Sequence, residues 1–325
     1  MTNTPEPPRA QDDDLRTEIE KFLASNPSGL DRKIMTQTVR DLRSAFSLLG
    51  QLDGTPKVTI FGSARTEPND PLYQQTARVA GELAAQGWMV ITGAGPGIME
   101  AGMIGAGRES SIGVSIQLPF ENEANPIIAG DDKHIALKYF FTRKFALTKG
   151  SQAFICMPGG FGTLDELFEL LTLTQTGKGT PVPIVLLDVP GDTYWRQVDD
   201  FVRDQMSSRG LISPEDRSLY FVTNDAIAAA TEVTAFYSNY HSLRFVGTRL
   251  YIRVRRQPSD GLLARLNANF GHLCTEGSFT VESPHAAELR DGDHVDLFRI
   301  ALKFDRRSFG ELRGVIDTIN DRRLN

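Results

Sequence analysis

Between Lys57 and Tyr240 short apolar runs alternate with longer stretches in which apolar residues recur every three or four positions. "KVTIFGS" predicts a buried strand, and "PLYQQTARVAGELAAQG" an amphipathic helix ending at Gly87. "WMVITG" and "IGVSIQL" predict two more strands, with "GPGIMEAGMIGAGRES" a helix between them. A long loop, Leu118 to Asp132, leads to a helix over "YFFTRKFALTKG". Strand "AFICMPGG", helix "TLDELFELLTLTQTG", strand "VPIVLLD", helix "YWRQVDDFVRDQMSS", strand "SLYFVT" and helix "DAIAAATEVTAFYSNY" come next. Strands and helices in this rhythm predict an α/β fold with a doubly wound, mostly parallel, Rossmann-like sheet, because each parallel crossover needs a helix.

The flanks differ. Residues 1–14, "MTNTPEPPRAQDDD", are polar and acidic and are expected to be disordered. From Asp31 to Leu52, Ile34, Val39, Leu42, Phe46 and Leu49 predict a helix packed on the next segment of the chain. Past His241 come strand "RLYIRVR", helix "SDGLLARLNANFG", strands "GSFTVES" and "HVDLFRIALKF", and helix "SFGELRGVIDTIND". That order is a small α+β plait short of one strand. The expected division is a tail and helix over 1–54, an α/β domain over 55–240 and a small C-terminal domain over 241–325. ACT-like plaits, which the last unit resembles, often bind small regulators or dimerise, and a passive packing module fits the same pattern.

Composition narrows the function classes. The chain has 325 residues, 40% of them hydrophobic and 23% charged, an ordinary balance for a protein with a sizeable core. A net charge of −6 leaves no basic excess for nucleic acid. Cys156 and Cys274 form no CxxC spacing, which suits a reducing cytoplasm. No apolar run approaches a membrane span, so a cytoplasmic protein is expected.

The chemistry concentrates at strand ends. In "PGGFGTLDE", Gly159, Gly160 and Gly162 are expected to adopt positive φ where needed and to let backbone N–H groups approach a ligand. Thr163 is expected to open a helix whose N-terminal dipole favours an anion, so phosphate is the natural guest. Thr163 and Glu166 also have the spacing of a capping box, in which Glu166 would only satisfy its own helix start. A second glycine turn, "TGAGPGIMEAG", offers Gly95 and Gly97; it misses the dinucleotide fingerprint by one residue, and no acidic residue ends the next strand, so NAD has little support. Close packing of strand on helix accounts for part of these glycines. "FGSAR" contributes Ser63 and Arg65, a hydroxyl and a guanidinium suited to phosphate or ribose. Arg143 and Lys144 lie among Tyr139, Phe140, Phe141, Phe145 and Leu147, where little solvated face is expected. The sequence has no Walker motif, no GxSxG elbow and no HExxH or deaminase metal pattern.

With these residues assembled, the segment from Lys57 to Tyr240 resembles the LOG (Lonely Guy) family, long labelled possible lysine decarboxylases. "PGGFGTLDELFE", the family's PGGxGTxxE signature, is the specific match; "FGSAR", "TGAGPGIMEA", "LPFENEANP", "YFFTRK" and "LTQTGK" accompany it. The resemblance implies hydrolysis of the N-glycosidic bond of a purine nucleoside 5′-monophosphate, either a cytokinin riboside 5′-monophosphate or AMP. It implies Arg143 and Glu166 as the catalytic pair, Gly159, Gly160, Gly162 and Thr163 as the phosphate cradle, no cofactor, and a homodimer. Phe140 stands where the family often has Met, and Ala94 where many members have Gly, two departures that bear on substrate choice. A nucleotide-binding sensor without catalysis, or a ribosyl-phosphate transferase, would share these residues. Glu166 could activate water, hold the ribose hydroxyls or stabilise an oxocarbenium ion.

Overall fold

The computed structural model describes residues 10–117 and 124–324. Two helices, α1 (Ala10–Ala24) and α2 (Gly29–Gln51), precede the sheet. The disorder expected over residues 1–14 is corrected from Ala10 onward, where α1 has begun; residues 1–9 lie outside the described part. The larger unit runs β1 (Lys57–Phe61), α3 (Pro71–Ala85), β2 (Met89–Thr92), α4 (Ile98–Ala106), β3 (Ser111–Ile116), β4 (His134–Leu137) and α5 (Phe140–Lys149). It continues with β5 (Ala153–Cys156), α6 (Phe161–Gln175), β6 (Ile184–Leu187), α7 (Tyr194–Phe201), β7 (Phe221–Thr223) and α8 (Ala226–Ala235). A π-helical turn, Val202–Ser207, extends α7.

The sheet order is β4-β3-β2-β1-β5-β6-β7, every pairing parallel. β1, β2 and β5 carry buried runs such as Val58, Ile60, Val90, Ile91, Phe154 and Ile155, as a sheet covered on both faces requires. One core joins α2, α5, α6 and α7 to one face, and the other joins α3 and α8 to the opposite face. Strand β4 is a correction: its four residues lie directly after the expected loop and are too few to show periodicity. Of that loop and of "LPFENEANP", residues 118–123 lie outside the described part.

This order sets the position of any ligand site. From β1 the chain winds outward to β4, then returns so that β5 lies on the other side of β1. The crevice at the carboxyl ends of β1 and β5 is therefore the topological switch point, where open α/β sheets bind their ligands.

The smaller unit contains β8 (Tyr240–Val246), β9 (Arg249–Val254), α9 (Asp260–Phe270), β10 (Cys274–Glu282), α10 (Ala286–Asp291), β11 (Phe298–Phe304) and α11 (Leu312–Asn320). Its antiparallel sheet has the order β10-β11-β9-β8. The strand that the sequence pattern leaves out of the plait is β8, "YHSLRFV", which adjoins the preceding helix and supplies the missing edge. Leu262, Leu266, Val315, Ile316 and Ile319 of α9 and α11 cover one face. Against this sheet Arg253, Glu288 and Arg299 are buried together. Glu288 accepts from Arg253 Nε and Nη2 at 2.9 and 2.7 Å, and Arg299 Nε lies 3.4 Å from its other oxygen.

Helix α2 is tied to the sheet through one carboxylate. Buried Asp41 accepts from the backbone N–H groups of Lys138 and Tyr139, at 3.0 and 3.3 Å, and from the Thr142 hydroxyl at 2.8 Å. Tyr139 is the N-cap residue of α5, so a residue of α2 caps the helix that carries Arg143. Asp41→Ala leaves the part-buried N–H groups of Lys138 and Tyr139 without this acceptor, and the Thr142 hydroxyl with Tyr139 O alone. It is expected to lower stability by about 2–3 kcal/mol, read as a reduced urea midpoint with unchanged slope.

Candidate active site

Where β1 and β5 end, the chain turns into two loops that face each other across a cleft of about 810 Å³. From β1 comes Gly62-Ser63-Ala64-Arg65; from β5 come Pro158, Gly159 and Gly160, leading into α6. The Ser63 N–H donates to Pro158 O at 3.3 Å, which ties the loops at their base. Gly93 at the end of β2, Met99 of α4, and Phe140 and Arg143 of α5 complete the walls.

The glycines serve a different purpose from the one expected. None of Gly159, Gly160 and Gly162 has positive φ. A Cβ on Gly159 would lie 2.2 Å from Thr163 Oγ1 and 3.1 Å from Ser63 N, so this position is held to glycine by close approach. At Gly160 and Gly162 a Cβ would meet nothing within 4 Å, so their bareness leaves the cleft open to a ligand.

Helix α6 begins at Phe161, two residues earlier than expected, with Gly160 as N-cap and no side-chain cap. The N–H groups of Thr163 and Leu164 bond back to Gly160 O at 3.1 and 3.2 Å. The capping-box reading of Thr163 and Glu166 is thereby corrected: Glu166 sits in the second turn and lines the cleft. The first N–H groups of α6 have no carbonyl within the helix to bond, and they open on the same cleft.

Arg143 and Glu166 both line this space. Arg143 donates from Nε to Val114 O at 2.9 Å. A Cβ on Gly93 would lie 2.0 Å from its Nη2, so glycine there leaves room for the guanidinium. Burial lowers the Arg143 pKa, and the neighbouring Glu166 opposes that shift. Glu166 is pushed up to about 7, chiefly by burial, against the pull of Lys144 and Arg143. A carboxyl poised near neutrality near a half-buried cation can change protonation state at physiological pH.

Ser63, Arg65, Gly159, Gly160, Gly162, Thr163, Arg143 and Glu166 all line the cleft. Gly95 and Gly97 stand behind its wall. Gly97 has φ +66° and abuts the first loop, where a Cβ would strike Ser63 O at 2.5 Å; a Cβ on Gly95 would meet Met99 Cε at 2.7 Å. Lys144 points to the other side of α5 and pairs with Asp165, at 2.9 Å, and with Glu169. Ala94 is buried at φ +57°, so the family's frequent glycine is replaced here by a residue in the left-handed region.

Sequence reading missed Gly93, Met99 and Tyr194. Tyr194 donates its hydroxyl to Gly159 O at 2.7 Å, from an element 35 residues away, and no local pattern signals such a contact. It also expected little solvated face on α5, yet Phe140, Phe141 and Phe145 are exposed, as is Phe161 (94%) at the rim.

A family model described as possible lysine decarboxylase matches residues 96–233, ending before β8. A probable cytokinin riboside 5′-monophosphate phosphoribohydrolase of Oryza sativa subsp. japonica is 31% identical over 159 residues, 47% of this chain and 72% of that protein. A cytokinin riboside 5′-monophosphate phosphoribohydrolase of Arabidopsis thaliana is 34% identical over 123 residues, 38% of this chain and 54% of the relative. Among solved structures, the molybdenum cofactor carrier protein of Chlamydomonas reinhardtii aligns with 55% of this chain and 96% of its own, at 21% identity and a TM-score of 0.40. A likeness that loose speaks to neither ligand nor activity.

Proposed function

The chain belongs to the LOG family, and from that premise we propose that it hydrolyses the N-glycosidic bond of a purine nucleoside 5′-monophosphate, releasing free base and ribose 5-phosphate. The observation that carries this reading is a half-buried carboxyl and a half-buried guanidinium, Glu166 and Arg143, lining one cleft floored by the start of α6. An anion site alone would need no carboxylate. Departure of a purine makes the ribose oxocarbenium-like, and a carboxylate facing the sugar stabilises that charge and can take a proton from the attacking water. Arg143 faces the electron density that builds on the leaving base. The phosphate, held at the N–H groups of Phe161 and Gly162, orients the sugar from a distance.

The experiment is product analysis with AMP, GMP, CMP and isopentenyladenosine monophosphate, scoring free base and ribose 5-phosphate. Base released from a purine substrate supports the reading; binding of every nucleotide without release would make the chain a sensor. The proposed role of Glu166 also fixes a pH dependence. Its working form is the carboxylate, so base release should rise with pH through a midpoint near 7. A rate that falls across the same range would make Glu166 the acid instead.

The second partner in this reading is another copy of the chain. Ile34, Met35, Val39 and Phe46 of α2 are exposed beside Phe141 and Phe145 of α5, an apolar face of the kind that marks an interface. The unaltered chain is expected to run at twice its mass in light scattering, and Val39→Glu to convert it to a monomer.

A further inference from the structure

The larger of the two main cavities, about 1030 Å³, is not the candidate active site. It lies between α5, α6 and the 178–182 segment on one side, and the start of β8 on the other. Its apolar floor includes Phe154, Leu170 and Tyr240, each buried. Its charged lining is unbalanced: Lys144, Lys149 and Lys178 face Glu169, and although Lys144 is paired with Glu169 and with Asp165 outside the lining, Lys149 and Lys178 add positive charge that no lining carboxylate matches. Thr148, Thr180 and Ser242 add hydroxyls beside the lysines.

The mouth is structurally fixed. Lys178 and Gly179 donate their backbone N–H groups to Leu173 O, at 2.9 and 2.8 Å, holding the segment against the end of α6. Gly177 has φ +68°, and a Cβ there would lie 2.2 Å from the Phe309 ring of the smaller unit. The segment that carries Lys178 is therefore wedged between the two units.

The cavity touches the backs of the two helices whose other faces form the cleft. α5 presents Arg143 to the cleft and Lys144 and Thr148 to the cavity; α6 presents Glu166 to the cleft and Glu169 and Leu170 to the cavity. We propose that this cavity is a second ligand site, for a small anion with a flat apolar body, and that its occupation lowers the activity carried by Glu166. The apolar floor takes the flat body, and the lysines and hydroxyls take the negative group. The coupling comes from Lys144, foremost among the cations that favour ionised Glu166. An anion placed against Lys144 offsets its charge and disfavours the carboxylate. The ligand site stands on the cavity alone; the coupling rests on the role proposed for Glu166 in nucleotide hydrolysis.

The test uses the full chain and 8-anilinonaphthalene-1-sulfonate, a flat aromatic body with one sulfonate, read by fluorescence independently of turnover. One dye per chain is expected, bound at least tenfold more weakly by Lys149→Glu/Lys178→Glu, which should leave basal base release unchanged. Phe141 and Phe145 line both the cavity and the face assigned to a second copy, whereas Val39 lies outside the lining, so Val39→Glu should leave dye affinity as it is. Affinity indifferent to the two lysines, or lost in Val39→Glu, would overturn the site and place the dye on the face assigned to a second copy. Dye bound through the lysines with the rate of base release unchanged would overturn the coupling. If no nucleotide is cleaved, the coupling is read on the Glu166 carboxyl itself by NMR titration: its midpoint should move up in the presence of dye, and an unmoved midpoint would overturn it.

Discussion

Glu166→Gln should lower base release by about 10²- to 10⁴-fold while leaving nucleotide binding near its original strength. Gln keeps the size and hydrogen-bonding capacity of the side chain and removes the negative charge. If the carboxylate acts on the oxocarbenium-like state or on the attacking water, the loss falls on kcat and hardly on affinity. Equilibrium binding of AMP and single-turnover base release, measured on the same preparation, separate the two effects. A variant that retains more than a tenth of the rate would remove Glu166 from the reaction.

The same substitution should make the protein more stable. The unfolded carboxyl titrates near 4.5 and the folded one near 7, so between these values the unfolded state holds fewer protons. Stability then falls as pH rises through this window. Above pH 7 the buried charge costs up to about 3 kcal/mol, which Gln does not incur. Urea unfolding at pH 8 should favour the variant by that order, and at pH 4.5 the two proteins should converge. A site that costs stability where it does chemistry is the expected sign of function.

Glu288→Ala should cost about 3–5 kcal/mol, because it leaves Arg299 and part of the Arg253 guanidinium buried without their anion. Glu288 and Arg299 are fully buried and Arg253 nearly so, and water cannot replace the lost partner. Burial pushes the Glu288 carboxyl up, but the hydrogen bonds from Arg253, the His285 N–H and Arg299 outweigh it and hold the group below its ordinary value. The contribution is thus complete above about pH 4.5 and lost as pH falls below it. A fall in the urea midpoint at pH 7 that shrinks at pH 3.5 is the expected result. Replacing the three residues together with apolar ones of similar volume should recover most of the loss, since the cluster is expensive to bury and costly only to break.

Much of the larger unit was legible because buried parallel strands write themselves as uniform apolar runs, while their crossover helices carry a three-to-four period. β4, at four residues, and β8, joined to the preceding helix without a glycine or proline, were not, since neither is long enough or bounded sharply enough to show a pattern. The resemblance to the LOG family singled out Arg143 and Glu166, and the structure brings both to one cleft although 23 positions separate them. Spacing could not reveal that Gly97 packs behind the wall, that Lys144 turns to the other side of α5, or that Asp41 caps the helix carrying Arg143.

By itself, then, the sequence determined the identities of the strands that run through the core, the glycine turn at the end of β5 and the residue types available for chemistry. All of these depend on neighbours within a few positions. The tertiary structure alone decided the order of the strands, and with it the switch point between β1 and β5 where the cleft opens. It also decided the burial that lifts Glu166 toward neutrality. Strand order and burial are set by contacts between residues far apart in the chain, and a titration is set by the dielectric and charges that those contacts assemble.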